Sequence, residues 1–264
     1  MSNSSLILKI SDSYADFHGW ISLILCLFGI PFNIFIIIIL RRTKIATFAI
    51  NLILICIAIC DSITMLVYVP YCIHFYIIHS NSYSSQASPS RDNYFWTIYL
   101  LINIFISITF HSLSIWLTVY LALYRYFYIK ESVSRITNKG SNVKSKNNKI
   151  IEFFLKKSKH AIFLIFIFCL LFCMPTYFFP TIKFNHVNST NSSKESIIYY
   201  VDQSYLNNIT NNLVFKASFY GQAVFAKILP CILLVTFIYL LIHSLLIVKQ
   251  NQKNLKSNFN KVYI

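Results

Sequence analysis

The sequence predicts an all-α membrane protein: a transmembrane helical bundle of five spans, with the amino terminus outside and the carboxyl terminus in the cytoplasm. Three observations carry this. Of 264 residues, 56% are hydrophobic and only 12% charged, against about a quarter charged in soluble domains. The apolar residues fall in runs of about 20 or more, the length that crosses ~30 Å of hydrocarbon. Finally, the basic residues are distributed unequally between alternate joints. Low charge and 17% aromatic content exclude a disordered polymer.

The first run extends from Trp20 to Leu40, where Arg41 and Arg42 stop it. No basic segment with a short apolar core and small-residue cleavage site precedes it, so it is expected to be retained rather than removed as a signal peptide. The second runs from Ala46 to about Ile78, with Pro70 permitting a kink near its far end. The third covers Phe95 to Ile129. The fourth covers Ala161 to about Phe179 and ends around Pro175 and Pro180; the fifth covers Leu213 to Val248, with Pro230 inside it. The expected organisation is an outer tail over 1–19, a transmembrane domain over 20–248 and a basic cytoplasmic tail over 249–264. Two joints are long: a basic inner loop over 130–160 and a glycosylatable outer loop over 181–212.

The formal charge of +15 first suggests nucleic acid, but its placement gives another cause. Sixteen of the 23 Lys and Arg residues fall on the joints after the first and third spans and on the tail, and five fall on the opposite side. Loops rich in Lys and Arg stay cytosolic. The charge is therefore largely topological, and the bilayer rather than nucleic acid is the partner it implies. Asn-x-Ser/Thr acceptor triplets at Asn3, Asn188, Asn191 and Asn208 all lie on the predicted outer side. All seven cysteines lie in apolar stretches and read as small apolar residues.

Polar residues inside the spans are the candidates for function, because a charge there costs ~2.5–3.5 kcal/mol on insertion scales. Asp61 is the only acid within a span. Counted at 1.5 Å per residue, it and Asn33 sit within roughly one helical turn of the same depth, so a hydrogen bond between them is expected; a protonated, structural Asp61 is the alternative. Arg125, followed by Tyr126, lies at the inner end of the third span, where position alone favours a snorkelling anchor over a switch. Lys227 lies one turn before Pro230 and needs an interior partner or water. His111 and Trp116 on the third span are candidates to line a cavity or simply to pack.

The order Asn33, Asp61, Arg125-Tyr126, Pro230 resembles the skeleton of the rhodopsin-like G-protein-coupled receptors. Three segments are similar to invertebrate FMRFamide and myosuppressin neuropeptide receptors: Asn51 to Asp61 with Met65, Tyr68, Pro70 and Tyr71; His111 to Tyr126; and Lys227-Ile-Leu-Pro230-Cys231. The resemblance implies an extracellular peptide ligand and a heterotrimeric G protein as partners, with no cofactor. It also implies a sodium- and water-binding role for Asp61 with Asn33, and G-protein engagement by Arg125. Binding would act by population shift, through higher affinity for the open bundle.

Some residues depart from that pattern. Tyr124 stands where the family has an acid before the arginine, no cysteine at the top of the third span or in 181–212 can form the family's disulfide, and the fourth span lacks its tryptophan. The chain reaches Ile264 in what would be the third inner loop, so the helices carrying Cys-Trp-x-Pro and Asn-Pro-x-x-Tyr are not within it. A five-span protein that associates with full-length receptors, in an oligomer, is therefore the alternative function. Nothing suggests an enzyme: Gly-x-Ser-x-Gly, His-Glu-x-x-His and Walker patterns are absent, and the Cys56/Cys60 and Cys169/Cys173 pairs lack accompanying histidines or acids. A basic residue of an amidated peptide would be expected to seek Asp92, Glu195 or Asp202 at the outer face.

Overall fold

A computed structural model describes residues 3–42, 48–79, 88–137, 157–178, 180–188, 195–203 and 213–262. Helix α1 (Asn3–Arg42) is followed by α2 (Phe48–Cys72), which passes directly into a π-helical turn, π1 (Ile73–Ile78). Then come α3 (Tyr94–Thr137), α4 (Ser158–Phe178), strands β1 (Pro180–Asn188) and β2 (Glu195–Gln203), and α5 (Leu213–Ala223). The last continues through a second π turn, π2 (Val224–Ile228), into α6 (Leu229–Val262). Among the described residues, four segments are long and apolar enough to cross a membrane: Phe17–Arg42, Ala49–Ile78, Tyr94–Lys130 and Lys216–Gln250. Ser158–Met174 of α4 is a shorter apolar helix. The expected all-α transmembrane bundle is thus observed.

Several helices extend beyond the apolar spans they contain. The helix containing the first span begins at Asn3, within the expected outer tail. Helix α3 runs on to Thr137 into the basic joint, and α6 runs on to Val262 through the stretch expected as a polar tail. Loss of apolar character marks where a helix leaves lipid, but it does not break the backbone hydrogen-bond ladder. Lys, Asn, Gln and Ser after Val248 include no proline or glycine to stop it. Residues 138–156 of the basic joint lie outside the described residues.

Both π turns lie near a proline. Pro70 and Pro230 lack the N–H that would close an α-helical bond four residues back, and π1 lies just after the first while π2 lies just before the second. Widening on the N-terminal side of Pro230 accommodates the bond that proline cannot make, whereas π1 lies beyond the bond that Pro70 removes.

Helix α3 is the hub, touching α2, α4, α6, π2 and both strands, while α1 packs on α2 and π1. The core lies where α2, α3 and α4 meet, around Ile53, Cys60, Leu113, Leu117, Tyr120, Tyr124 and Cys169. Thr109 on α3 and Tyr177 on α4 share a hydrogen bond. Large apolar side chains such as Phe28, Phe32, Leu164 and Val235 point outward, as expected where lipid rather than water surrounds the bundle.

The joint after α4 holds an antiparallel hairpin with Phe184 opposite Tyr199. Its strands are rich in β-branched and aromatic residues (Ile182, Phe184, Ile197, Ile198, Tyr199, Tyr200, Val201), the composition that favours a pleated ribbon. The hairpin is fastened to α3 by backbone. Tyr199 N–H donates to Asp92 O (2.9 Å) and Thr97 Oγ1 donates to Tyr199 O (3.3 Å).

Candidate functional site

Three helices enclose a cavity of about 460 Å³. Helix α2 contributes Thr64 and Tyr68, and α3 contributes Ser107, Ile108, His111 and Ser112. The remaining wall is Phe219, Gln222 and Ala223 from α5 with Ala226 and Lys227 from π2. Within each helix these positions recur at three- and four-residue spacing, which puts them on one face.

The small hydroxyls are compatible with an apolar span because they bond back to their own helix. Thr64 Oγ1 donates to Cys60 O at 3.0 Å, leaving its acceptor capacity directed elsewhere. Tyr68 OH shares a hydrogen bond with His18 Nε2 of α1 at 3.3 Å. His111 and Lys227 are both exposed, so the cavity is partly open. Lys227 is the sole charged residue among the described residues that line it.

The structure separates the residues singled out in the sequence. His111 and Lys227 face the cavity together. Trp116, expected as a possible lining residue, is not in the wall: its ring stacks on Phe225 of π2 (centroids 4.9 Å apart), which in turn stacks on Phe172 of α4 at 3.7 Å. The Trp116 Nε1–H is buried with no hydrogen-bond partner. Asn33 and Asp61 are each half-buried, and among the described residues no hydrogen bond joins them. Equal depth does not guarantee that two helices turn the same faces to one another.

Toward the C-terminal end of the apolar part of α3, Arg125 is exposed. Tyr126, next to it, holds Lys130 over its ring at 5.6 Å. Tyr124 points the other way, into the core.

The outer acids are engaged within the fold. Asp92 Oδ2 accepts from Ser88 N–H at 3.1 Å, and its Oδ1 lies 3.7 Å from Arg91 Nε. Asp202 pairs with Lys183 across the hairpin, and this hydrogen bond and charge raise the Lys183 pKa above its ordinary value. The side chains of Glu195, Asn3 and Asn188, and all of Asn191 and Asn208, lie outside the described residues. Among the described residues no three His, Cys, Asp or Glu side chains are grouped to hold a metal ion.

Sequence reasoning did not select Thr64, Ser107, Ser112 or Gln222. A signal was present in the recurrence of small polar residues at spacings of three and four within apolar helices, but such residues also pack helices without binding anything.

Two comparisons with known proteins accompany this geometry. A family model described as the serpentine type 7TM GPCR chemoreceptor Srw matches residues 20–262. The G-protein coupled receptor dmsr-1 of Caenorhabditis elegans is 26% identical over 259 residues, covering 96% of this chain and 47% of that receptor. The chain therefore spans about half the length of the curated relative it matches.

Proposed function

Because the chain belongs to the serpentine seven-transmembrane G-protein-coupled chemoreceptor family Srw, we propose that it forms the ligand-binding part of a receptor that couples an extracellular peptide to a heterotrimeric G protein. Family membership and apolar helices make it a multi-pass plasma-membrane protein and a receptor, not an enzyme. The observation that carries the reading is the cavity between α2, α3 and the α5–π2 rod, where His111 and Lys227 face apolar walls. Peptide as the ligand class is supported by the resemblance of residues 51–61, 111–126 and 227–231 to neuropeptide receptors. Charge asymmetry supports an outer 1–19 segment, transmembrane residues 20–248 and a cytoplasmic 249–264 segment.

Arg125, exposed on α3, and its half-buried neighbour Tyr126 are the proposed coupling residues, and the basic joints support an inner position for that end of α3. Asp61 and Asn33 are proposed to line a core polar network joined through water, since they do not bond directly. Asn3, Asn188, Asn191 and Asn208 are the proposed glycan acceptors. The test is ligand-driven separation of Gα from Gβγ, followed by energy transfer in cells displaying the chain and exposed to a library of short neuropeptides. At least one peptide should evoke a signal; silence across the library at verified surface display would overturn the peptide reading.

A second reading is favoured by one observation: the cavity's polar residues His111 and Lys227 are exposed, and no residue of the most apolar window of Lys216–Gln250 is buried. A helix of another receptor chain could cover that side, making this protein an associating subunit. Co-purification with an intact receptor in mild detergent supports it, and a monomer under the same conditions counts against it.

A further inference from the structure

The cavity is electrically one-sided. Lys227 is its sole charge among the described lining residues, His111 adds an imidazole, and no acid is in the wall. Asp61 sits on α2 one turn below Thr64 but is not part of the lining. Of the acids expected to greet a basic ligand group, the two whose side chains are described are committed elsewhere, Asp92 to Ser88 N–H and Arg91, and Asp202 to Lys183. An ammonium among apolar helices is costly unless an anion or water meets it, and weak screening there strengthens whatever attraction it finds.

The remainder of the wall has two characters. Ile108, Phe219, Ala223 and Ala226 form an apolar surface, while Ser107, Ser112 and Thr64 supply hydroxyls. A group that satisfies all of this has an apolar body and one compact anionic end.

We propose that this cavity receives a ligand carboxylate carried on, or next to, an apolar residue, with Lys227 as its counter-charge and His111 as a second donor. The carboxylate is either a free peptide C-terminus or an acidic side chain; both present two acceptor oxygens to an ammonium and an imidazole N–H. The inference rests on the receptor reading above, and it assigns the cavity a ligand group of opposite charge to the basic one expected at the outer acids.

Three probes separate the alternatives on the full chain in lipid nanodiscs: N-acetyl-phenylalanine, N-acetyl-phenylalaninamide and N-acetyl-aspartyl-phenylalaninamide. Equilibrium binding followed by saturation-transfer NMR should show at least one carboxylate probe bound about tenfold or more tighter than the neutral amide. Preference for the first acid identifies the terminus, and preference for the second identifies the side chain. Lys227→Gln should bring all three probes within about twofold of one another, Lys227→Arg should keep the preference, and His111→Gln should reduce it. Equal binding of acid and amide, no binding of either acid, or a preference that survives Lys227→Gln would overturn the proposal. The readout needs no G protein, so a carboxylate preference without coupling would reject only the receptor reading. Coupling to peptides without such a preference would reject only this inference.

Discussion

His74 of π1 lies flat against Trp96 of α3, with ring centroids 3.6 Å apart and planes 9° from parallel. His74 is buried, and its Nε2–H donates to Arg91 O at 3.1 Å, so that nitrogen carries a proton. The ring thus ties the outer end of α2 both to the face of α3 and to the chain entering it. No disulfide is available for the task, since all seven cysteines are free.

Replacing Trp96 by Ala removes the stack and the edge contacts with Phe75 and Tyr99. The expected cost is about 3 kcal/mol, because a large partly buried aromatic is truncated. Trp96→Phe should retain most of the stability. Thermal unfolding in nanodiscs reads the difference, and equal midpoints for the two variants would show that the stack does not hold these ends.

The contact of α1 with α2 depends on two glycines that should respond differently to a methyl group. A Cβ at Gly19 would lie 2.6 Å from Tyr76 Cβ, an atom fixed to the backbone of π1, so Gly19→Ala must push the helices apart. Overpacking of this kind costs about 1–3 kcal/mol. At Gly29 the Cβ would meet Met65 Sδ and Cε at 2.6 and 2.8 Å, the far end of a flexible side chain that can swing aside. Gly29→Ala is therefore expected to unfold within a few degrees of the parent, and Gly19→Ala well below it.

Legibility in the sequence followed how local each feature was. Span existence was readable because run length and flanking charge are properties of the chain alone. His111 and Lys227 stood out because a polar residue is conspicuous in an apolar run, and the structure puts both at one cavity. Depth arithmetic failed for Asn33 with Asp61 because it gives height along a helix and not rotation about its axis. Trp116 was ambiguous because an indole serves packing and cavity walls equally. The hairpin was visible as two β-branched and aromatic runs around Asn188 to Lys194, but it was masked by the expectation of a polar loop.

The hairpin's fastening predicts its exchange behaviour. Thr97→Val removes the bond to Tyr199 O, with a loss of about 0.5–1.5 kcal/mol in local opening. Amide hydrogen exchange over 180–203 should accelerate while α3 stays protected. The Lys183–Asp202 pair adds a pH dependence of known sign. Because folding raises the Lys183 pKa, the pair's contribution is complete below the ordinary lysine value of 10.5 and fades as pH climbs through the raised value. Titration of methyl-labelled Lys183 by NMR should show that upward shift in the parent and its loss in Asp202→Asn.

Neighbours Tyr124 and Arg125 separate stability from signalling. The receptor resemblance implies an acid at position 124, yet Tyr124 is 8% exposed within the α2–α3–α4 core, its ring edge-on to Tyr120 at 6.3 Å. A carboxylate placed there would lose its water and meet apolar side chains, so Tyr124→Asp is expected to destabilise by about 2 kcal/mol or more. Restoring the family's acid would therefore damage this bundle before it could restrain a resting state. Arg125 is exposed on the opposite face. Arg125→Ala should change unfolding by no more than about 0.5 kcal/mol while abolishing G-protein activation if the guanidinium is the coupling group. Arg125→Lys decides its character: a snorkelling anchor needs only a long cation, whereas a docking residue uses the planar five-donor fork that lysine lacks. Full coupling by Arg125→Lys would make the residue an anchor, and lost coupling at unchanged unfolding would make it the switch.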